Sequence, residues 1–335
     1  MISTFRFASA RRQTRRLLTI GACTALVAAA LPAYAQSSAW PSKPVRIVVG
    51  FAAGGGTDLI ARVFAQPLGE ALGAPVVVEN RPGGSGNISA SEVLRARADG
   101  YTFLVAPTSV ETVNPSLFKA NFDLAKDLIP VGTIARMQMY VVARKDLAVD
   151  DTPGLVAMAK ANPNKLSYAS SGTGTPPHFA AELFAHLADI KVAHLPYKGS
   201  APALQDVLGG HADYVFDPGI AMPHIKDGKV KLLGVASKTR SSYFPDTPTL
   251  SEQGIPGAEL DIWFGVWAPL KTPPEVIERM QRELAKAAEQ QALKKRLGEV
   301  ATEPIVMNSA DFRKLLDDER KVLEDLIRTR NIKAD

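Results

Sequence analysis

The chain has 335 residues, 39 Lys and Arg against 34 Asp and Glu, a net charge of +5, and one cysteine, Cys23. Five arginines (Arg6, Arg11, Arg12, Arg15 and Arg16) make up the whole excess, so the chain beyond residue 35 is neutral, with 34 residues of each sign. That balance excludes the basic footprint of a nucleic-acid-binding protein, and the absence of cysteine after Cys23 excludes a disulfide, a thiol nucleophile or a cysteine metal site there.

Residues 1–35 read as a signal peptide: the arginines form a basic n-region, an apolar run over 17–31 follows, and Ala33-Tyr34-Ala35 before Gln36 fits cleavage after Ala35. Arg11-Arg12 is not followed by a twin-arginine pattern, so the general secretory route is expected. Cys23 comes too soon after Arg16 to fit a lipoprotein box. No later run is apolar enough for long enough to span a bilayer as a helix. The expected mature chain of 300 residues buries roughly three-quarters of its unfolded surface, and that size favours two domains.

A strand over 45–49 stops at Gly50-Phe51-Ala52-Ala53-Gly54-Gly55-Gly56-Thr57-Asp58, and a helical pattern (Leu59, Ile60, Val63, Phe64) begins at once. Glycines let the backbone approach a ligand, and the first N–H groups of a helix attract an anion. Thr57 or Asp58 is expected to cap that helix, and Pro67 to kink it. A strand over 75–79, a second glycine-rich loop over 80–87, a helix over 89–97 and a strand over 101–106 continue a β-α pattern that favours a mostly parallel sheet. Beyond a strand at 139–143, Thr152-Pro153 supplies N-cap and N1 chemistry for a helix to residue 161.

The opening theme then recurs: strand 166–169, the small-residue loop Ser170-Ser171-Gly172-Thr173-Gly174-Thr175, helix 178–187. Strand 192–195, helix 201–208, a strand over 213–216 ending at Asp217-Pro218-Gly219, and strand 231–236 follow. A strand over 263–267 reads as the return crossing, and amphipathic helices over 274–297 and 309–329 close the chain. Two α/β domains each offer a Gly/Ser/Thr loop at a strand's carboxyl end, where open α/β sheets bind ligands.

Chemistry is weakly written. Gly54-Gly55-Gly56 lacks the dinucleotide spacing and no phosphate-loop lysine follows. Gly83-Gly84-Ser85-Gly86-Asn87 misses the last glycine of a nucleophile elbow. The five histidines form no close ligand pair, so neither a metal nor a cofactor is expected. Ser171 and His178 lie seven apart without an obvious acid. Tyr197-Lys198-Gly199 reads equally as a surface turn or as a support for the second-domain loop.

Phe51-x-x-Gly54-Gly55-x-x-Asp58, Glu79-Asn80-Arg81-Pro82-Gly83, Asp99-Gly100-Tyr101-Thr102, Asn114-Pro115, Ser171-Gly172-x-Gly174-Thr175-x-x-His178, Pro196-Tyr197-Lys198-Gly199 and Trp263-Phe264-Gly265 occur in that order. Together they resemble the Bug-type solute-binding proteins of tripartite tricarboxylate transporters, the TctC-like family, over nearly the whole mature chain. The resemblance implies an α/β, type II, two-lobed Venus-flytrap protein of the periplasm, each lobe a mixed, mostly parallel sheet flanked by helices. It closes on a small organic carboxylate and delivers it to integral-membrane permease subunits, as a monomer and without catalysis. Lobe 1 is expected over 36–138 and 262–335, lobe 2 over 139–261, with hinge strands near 139–142 and 261–264. Carried over, the first-lobe contacts fall on Phe51, Ala53, Gly55, Thr57 and Asp58. Those of the second lobe fall on Ser171, Thr173, Thr175 and His178, with Asp217 near the far end of the pocket. Ala52, Ser85 and Ser89 depart from the family's usual proline and glycines; Glu111 reads as a solvated loop charge, the alternative being a carboxylate facing the cleft. Other readings are an exported enzyme on this scaffold using Ser171 and His178, or a ligand-sensing subunit for a membrane kinase.

Overall fold

The computed structural model describes residues 40–119 and 121–333, so the expected leader, its cleavage point and Cys23 lie outside the described residues. The chain opens with strands β1 (Val45–Val49), β2 (Val76–Asn80), β3 (Thr102–Pro107) and β4 (Leu128–Met137). It then builds a second sheet from β5 (Tyr140–Arg144), β6 (Ser167–Ser170), β7 (Ala193–Pro196), β8 (Tyr214–Asp217) and β9 (Val230–Val235). Finally it returns to the first sheet with β10 (Ile262–Pro269) and β11 (Thr302–Glu303). The sheet orders are β11-β4-β10-β3-β1-β2 and β7-β6-β8-β5-β9.

Both sheets are mixed, and the reason is the chain's path. Parallel pairing joins β1 to β2 and β3, and β6 to β7 and β8, where helical crossovers carry the chain back. The strands next to the passages between sheets run antiparallel: β10 against β3 and β4, β5 against β8 and β9. The apolar residues of β1 (all but Arg46) and of β3 (from Phe103 on) are buried on both faces, as central parallel strands require.

The helices long enough to cover these faces are α1 (Gly56–Leu72), α2 (Asn87–Leu94), α3 (Thr152–Ala161), α4 (Pro176–Leu187), α5 (Ser200–Leu208), α6 (Pro274–Glu289), α7 (Gln291–Gly298) and α8 (Ser309–Arg330). Helix α1 continues through Pro67 to Leu72. The cap of α3 is Asp151, whose carboxylate accepts the Gly154 N–H at 2.8 Å, one residue earlier than the Thr152 cap read from the sequence. The single helix expected over 274–297 breaks at Gln290, which is extended (φ −66°, ψ 127°). That break turns Leu293 and Leu297 into the interior without any proline or glycine to announce it.

Helix α8 is the third link between the two halves. Its 22 residues reach about 33 Å at 1.5 Å per residue. Phe312 and Leu316 pack with Trp267, Leu104 and Val48 in the first core, whereas Leu323, Leu326 and Ile327 belong to the core of the second sheet. Arg330 Nε donates to Glu182 Oε2 at 2.6 Å on α4. The same helix settles Glu111, which is neither a solvated charge nor a cleft group but fully buried. It accepts the Trp267 indole N–H at 2.9 Å and hydrogen bonds from Arg313 and Arg320 at 2.5 and 2.8 Å. A buried carboxylate persists only when paired in this way.

Candidate functional site

In each sheet the strand order reverses beside one strand: β1 lies between β2 and β3, and β6 between β7 and β8. Crevices at such switch points, beyond the carboxyl ends of the strands, are where α/β sheets take ligands. The loop after β1 and the first turn of α1 carry Phe51, Ala53, Gly55, Thr57 and Asp58; the loop after β6 and the first turn of α4 carry Ser171, Thr173, Thr175 and His178; Asp217 ends β8.

The first loop is held from below. Asp58 is 3% exposed, and its carboxylate accepts the Gly54 N–H at 2.9 Å, Arg62 Nε at 2.9 and 3.0 Å, and Asn80 Nδ2 at 2.9 Å. Burial alone would raise its pKa. The Arg62 hydrogen bond, the Gly54 N–H, Asn80 and the Arg62 charge outweigh that and hold the carboxyl below its usual range. Asn80 Nδ2 also donates to the Phe51 carbonyl at 3.0 Å. Gly54 has φ +81°, a left-handed conformation that suits glycine. The expected side-chain cap does not form: Gly55 is the N-cap, without a capping side chain, and Asp58 turns instead to Gly54. As a result, among the described residues no hydrogen bond reaches the N–H groups of Gly56, Thr57 and Asp58 or the Thr57 hydroxyl. These are the orphan donors of a helix start, and they attract negative charge.

The second loop is built differently, because Pro176 and Pro177 open α4 and bring no N–H of their own. Ser171 Oγ donates to Thr175 Oγ1 at 2.9 Å, and Thr175 Oγ1 donates to the Gly172 carbonyl at 2.7 Å. His178, 4% exposed, accepts the Gly174 N–H on Nδ1 at 3.1 Å, and its ring stacks on His194, 4.2 Å between centroids. Tyr197 and Gly199 clamp the same loop by donating their N–H groups to Ser170 and Ser171 carbonyls at 3.0 and 3.2 Å. The 197–199 turn is thus a support for the loop. Thr173 makes no hydrogen bond with its side chain among the described residues.

Asp217 is fully buried under the turn that follows it. Its Oδ1 accepts the N–H groups of Gly219 and Ala221 at 2.7 and 2.9 Å, and Oδ2 has no hydrogen-bond partner among the described residues. Burial pushes its carboxyl up to about 6, against the pull of those two N–H groups. The first loop and this turn meet across a cavity of about 630 Å³, lined by Gly54, Gly56 and Gly219 together with Met137, Tyr243 and residues 298–302. The 171–175 loop lies outside that lining and shares no hydrogen bond with the first loop among the described residues. Sequence reasoning missed Asn80, which sat in a quoted motif without a role, and Tyr243 and residues 298–302, which carry no motif at all.

The model of the "Tripartite tricarboxylate transporter family receptor" family matches residues 60–332. The chain is 34% identical to Protein BugT of Bordetella pertussis over 310 residues, 91% of this chain and 94% of that one. Among solved structures it resembles Rpa4515 of Rhodopseudomonas palustris with adipate (33% identity, TM-score 0.75, 88% of this chain and 99% of that one). It also resembles MatC of Rhodopseudomonas palustris with bound malate (28% identity, TM-score 0.70, 86% and 100%).

Proposed function

Because the chain belongs to the tripartite tricarboxylate transporter receptor family, we propose that its two lobes capture one small organic carboxylate and present it to the permease subunits of such a transporter. The periplasm is its compartment, after export and cleavage following Ala35. The lobes comprise residues 36–138 with 262–335, and 139–261. The protein acts as a monomer, by recognition and without turnover.

The observation that carries the reading is the set of unanswered donors after β1: three consecutive N–H groups and the Thr57 hydroxyl, at the start of a 17-residue helix. Thr173, whose side chain makes no hydrogen bond among the described residues, offers a further donor from the second lobe, with Phe51, Ala53, Gly55, Asp58, Ser171, Thr175, His178 and Asp217 shaping the seat. The Ser171 hydroxyl gives its proton to Thr175, which suits a binding loop better than a nucleophile. Charge-assisted hydrogen bonds contribute about 1.5–3 kcal/mol each. Two or three of them cover the roughly 5.5 kcal/mol that turns a 1:99 open–closed equilibrium into 99:1.

A thermal-shift screen of the purified protein against mono-, di- and tricarboxylates, aromatic acids and amino acids tests this. A ligand at a hundred times its Kd adds about 2.7 kcal/mol. One acid or a few should raise the midpoint, less so in Thr57→Val and Thr173→Val. A flat response to every acid would overturn the proposal.

A further inference from the structure

We infer that the ligand is a carboxylate with an extended apolar body, which fills the 630 Å³ cavity between the first loop and the turn after β8. This rests on the carboxylate reading above and adds the chemical class. The cavity begins at Gly54 and Gly56, beside the orphan N–H groups, so an acid seated on them points its remaining atoms into it. Its walls are Leu59, Ile60, Met137, Ile220, Met222 and Val300. Among the described residues, the only charged side chains on it, Lys226 and Glu299, are both exposed at the rim and opposite in sign.

Two physical consequences follow. A second carboxylate on a short diacid would gain no buried cation from the apolar walls, whereas an apolar body would displace the cavity's water and bury itself against them. Size points the same way: at about 30 Å³ per water, the cavity has room for roughly twenty waters, far more than a four-carbon acid displaces. A volume in the range of about 300–1,000 Å³ suits a larger organic molecule. Nor is the space a gap between lobes held apart at this edge. A Cβ on Gly219 would overlap the Ala301 Cβ, so the second-lobe turn and the 298–302 segment already touch. The Tyr243 hydroxyl, with no hydrogen bond among the described residues, is the uncharged polar handle on the wall.

The test is calorimetric titration of the purified protein with two sets of acids, phenyl- or alkyl-substituted monocarboxylates (4-phenylbutyrate, octanoate) and short diacids (malate, adipate). The first set should bind about tenfold tighter or better. Ile220→Asp puts a charge on the wall at a side chain that is 41% exposed, so folding, checked by the apo melting midpoint, is unaffected. It should weaken the first set about tenfold. Short diacids binding as tightly as the apolar-bodied acids would overturn the inference and leave the carboxylate reading standing. Unchanged affinities in Ile220→Asp would do the same. Failure of every acid to bind would remove both.

Discussion

On the proposed function, Asp58 holds the first loop rather than touching the ligand, and that difference is measurable. Its carboxylate answers three donors, Gly54 N–H, Arg62 Nε and Asn80 Nδ2, all near 2.9 Å. The Arg62 pair is half exposed, so it is worth about 0–1 kcal/mol. The two bonds from Gly54 and Asn80 are shielded, and hydrogen bonds to a charged group contribute about 1.5–3 kcal/mol each, partly offset by relief of the carboxylate's own desolvation. Asp58→Ala should therefore cost about 2–4 kcal/mol, a fall of roughly 3–6 °C in the apo midpoint for a chain of this size. Asp58→Asn should cost about half as much, since its amide can accept some of these bonds while its NH2 faces a donor. Because the effect passes through the shape of the Gly54–Gly56 turn, affinity for every acid should fall by a similar factor. The carboxyl is held below its ordinary pKa, so its contribution is complete above pH 4 or so and is lost as pH falls through the native value. Differential scanning fluorimetry of the apo proteins, with calorimetry for the acids, decides the matter. An unchanged apo midpoint in both variants, with affinity losses that track ligand charge, would refute the positioning role and make Asp58 a direct contact.

Glu111→Ala strands the buried Trp267 N–H and releases Arg313 and Arg320, which are about a quarter exposed and can rehydrate. The apo protein should lose about 2–4 kcal/mol by chemical denaturation, with ligand preference unchanged. The shielded carboxylate of the half-buried Glu319 faces Asp261 and Glu111 and takes a hydrogen bond from Thr108 at 3.1 Å, and its burial pushes that carboxyl up to about 8. A raised carboxyl binds its proton more tightly when folded, so its stabilising share is complete below pH 4.5 or so and is lost as pH rises towards about 8. Glu319→Gln should flatten the stability–pH curve over that window and melt higher than the parent at pH 8–9; identical curves would remove Glu319 as the cause. Gly50→Ala would drive a Cβ into Ser89 Oγ and the Gly86 backbone, overpacking the two first-lobe loops by about 1–3 kcal/mol. Adding Ser89→Gly should restore only part of the midpoint, because the Gly86 Cα remains in the way.

The parts of the fold that could be read from the sequence are those that local pattern decides. β1 is an apolar, β-branched run stopped by glycine, and β6 and β8 end at Ser/Gly and Asp-Pro-Gly turns. β4 was invisible, because Pro130, Gly132 and Thr133 interrupt it. Its strand state comes from pairing with β10 more than a hundred residues away, through a register with two shifts. The amphipathic stripe of α8 announced a helix but not that its two ends belong to different cores. Sequence also located both loops without revealing which way their polar groups point. Asp58 and His178 turn back to the N–H groups of Gly54 and Gly174, four residues before each.

That inward turn explains why the motifs name a family without naming a ligand. In both loops the motif side chains fix the backbone: Asp58 and Asn80 on one side, Thr175, His178 and the Tyr197 turn on the other. What remains for the ligand near those residues is main-chain N–H and hydroxyl, a chemistry that reads one carboxylate and nothing of the group attached to it. On the proposed reading, discrimination between acids comes from the walls beyond the seat, where Ile220, Tyr243 and residues 298–302 stand outside every recurring motif. Substitutions there should change which acid binds, whereas those at Asp58 or Thr175 should change how well any acid binds.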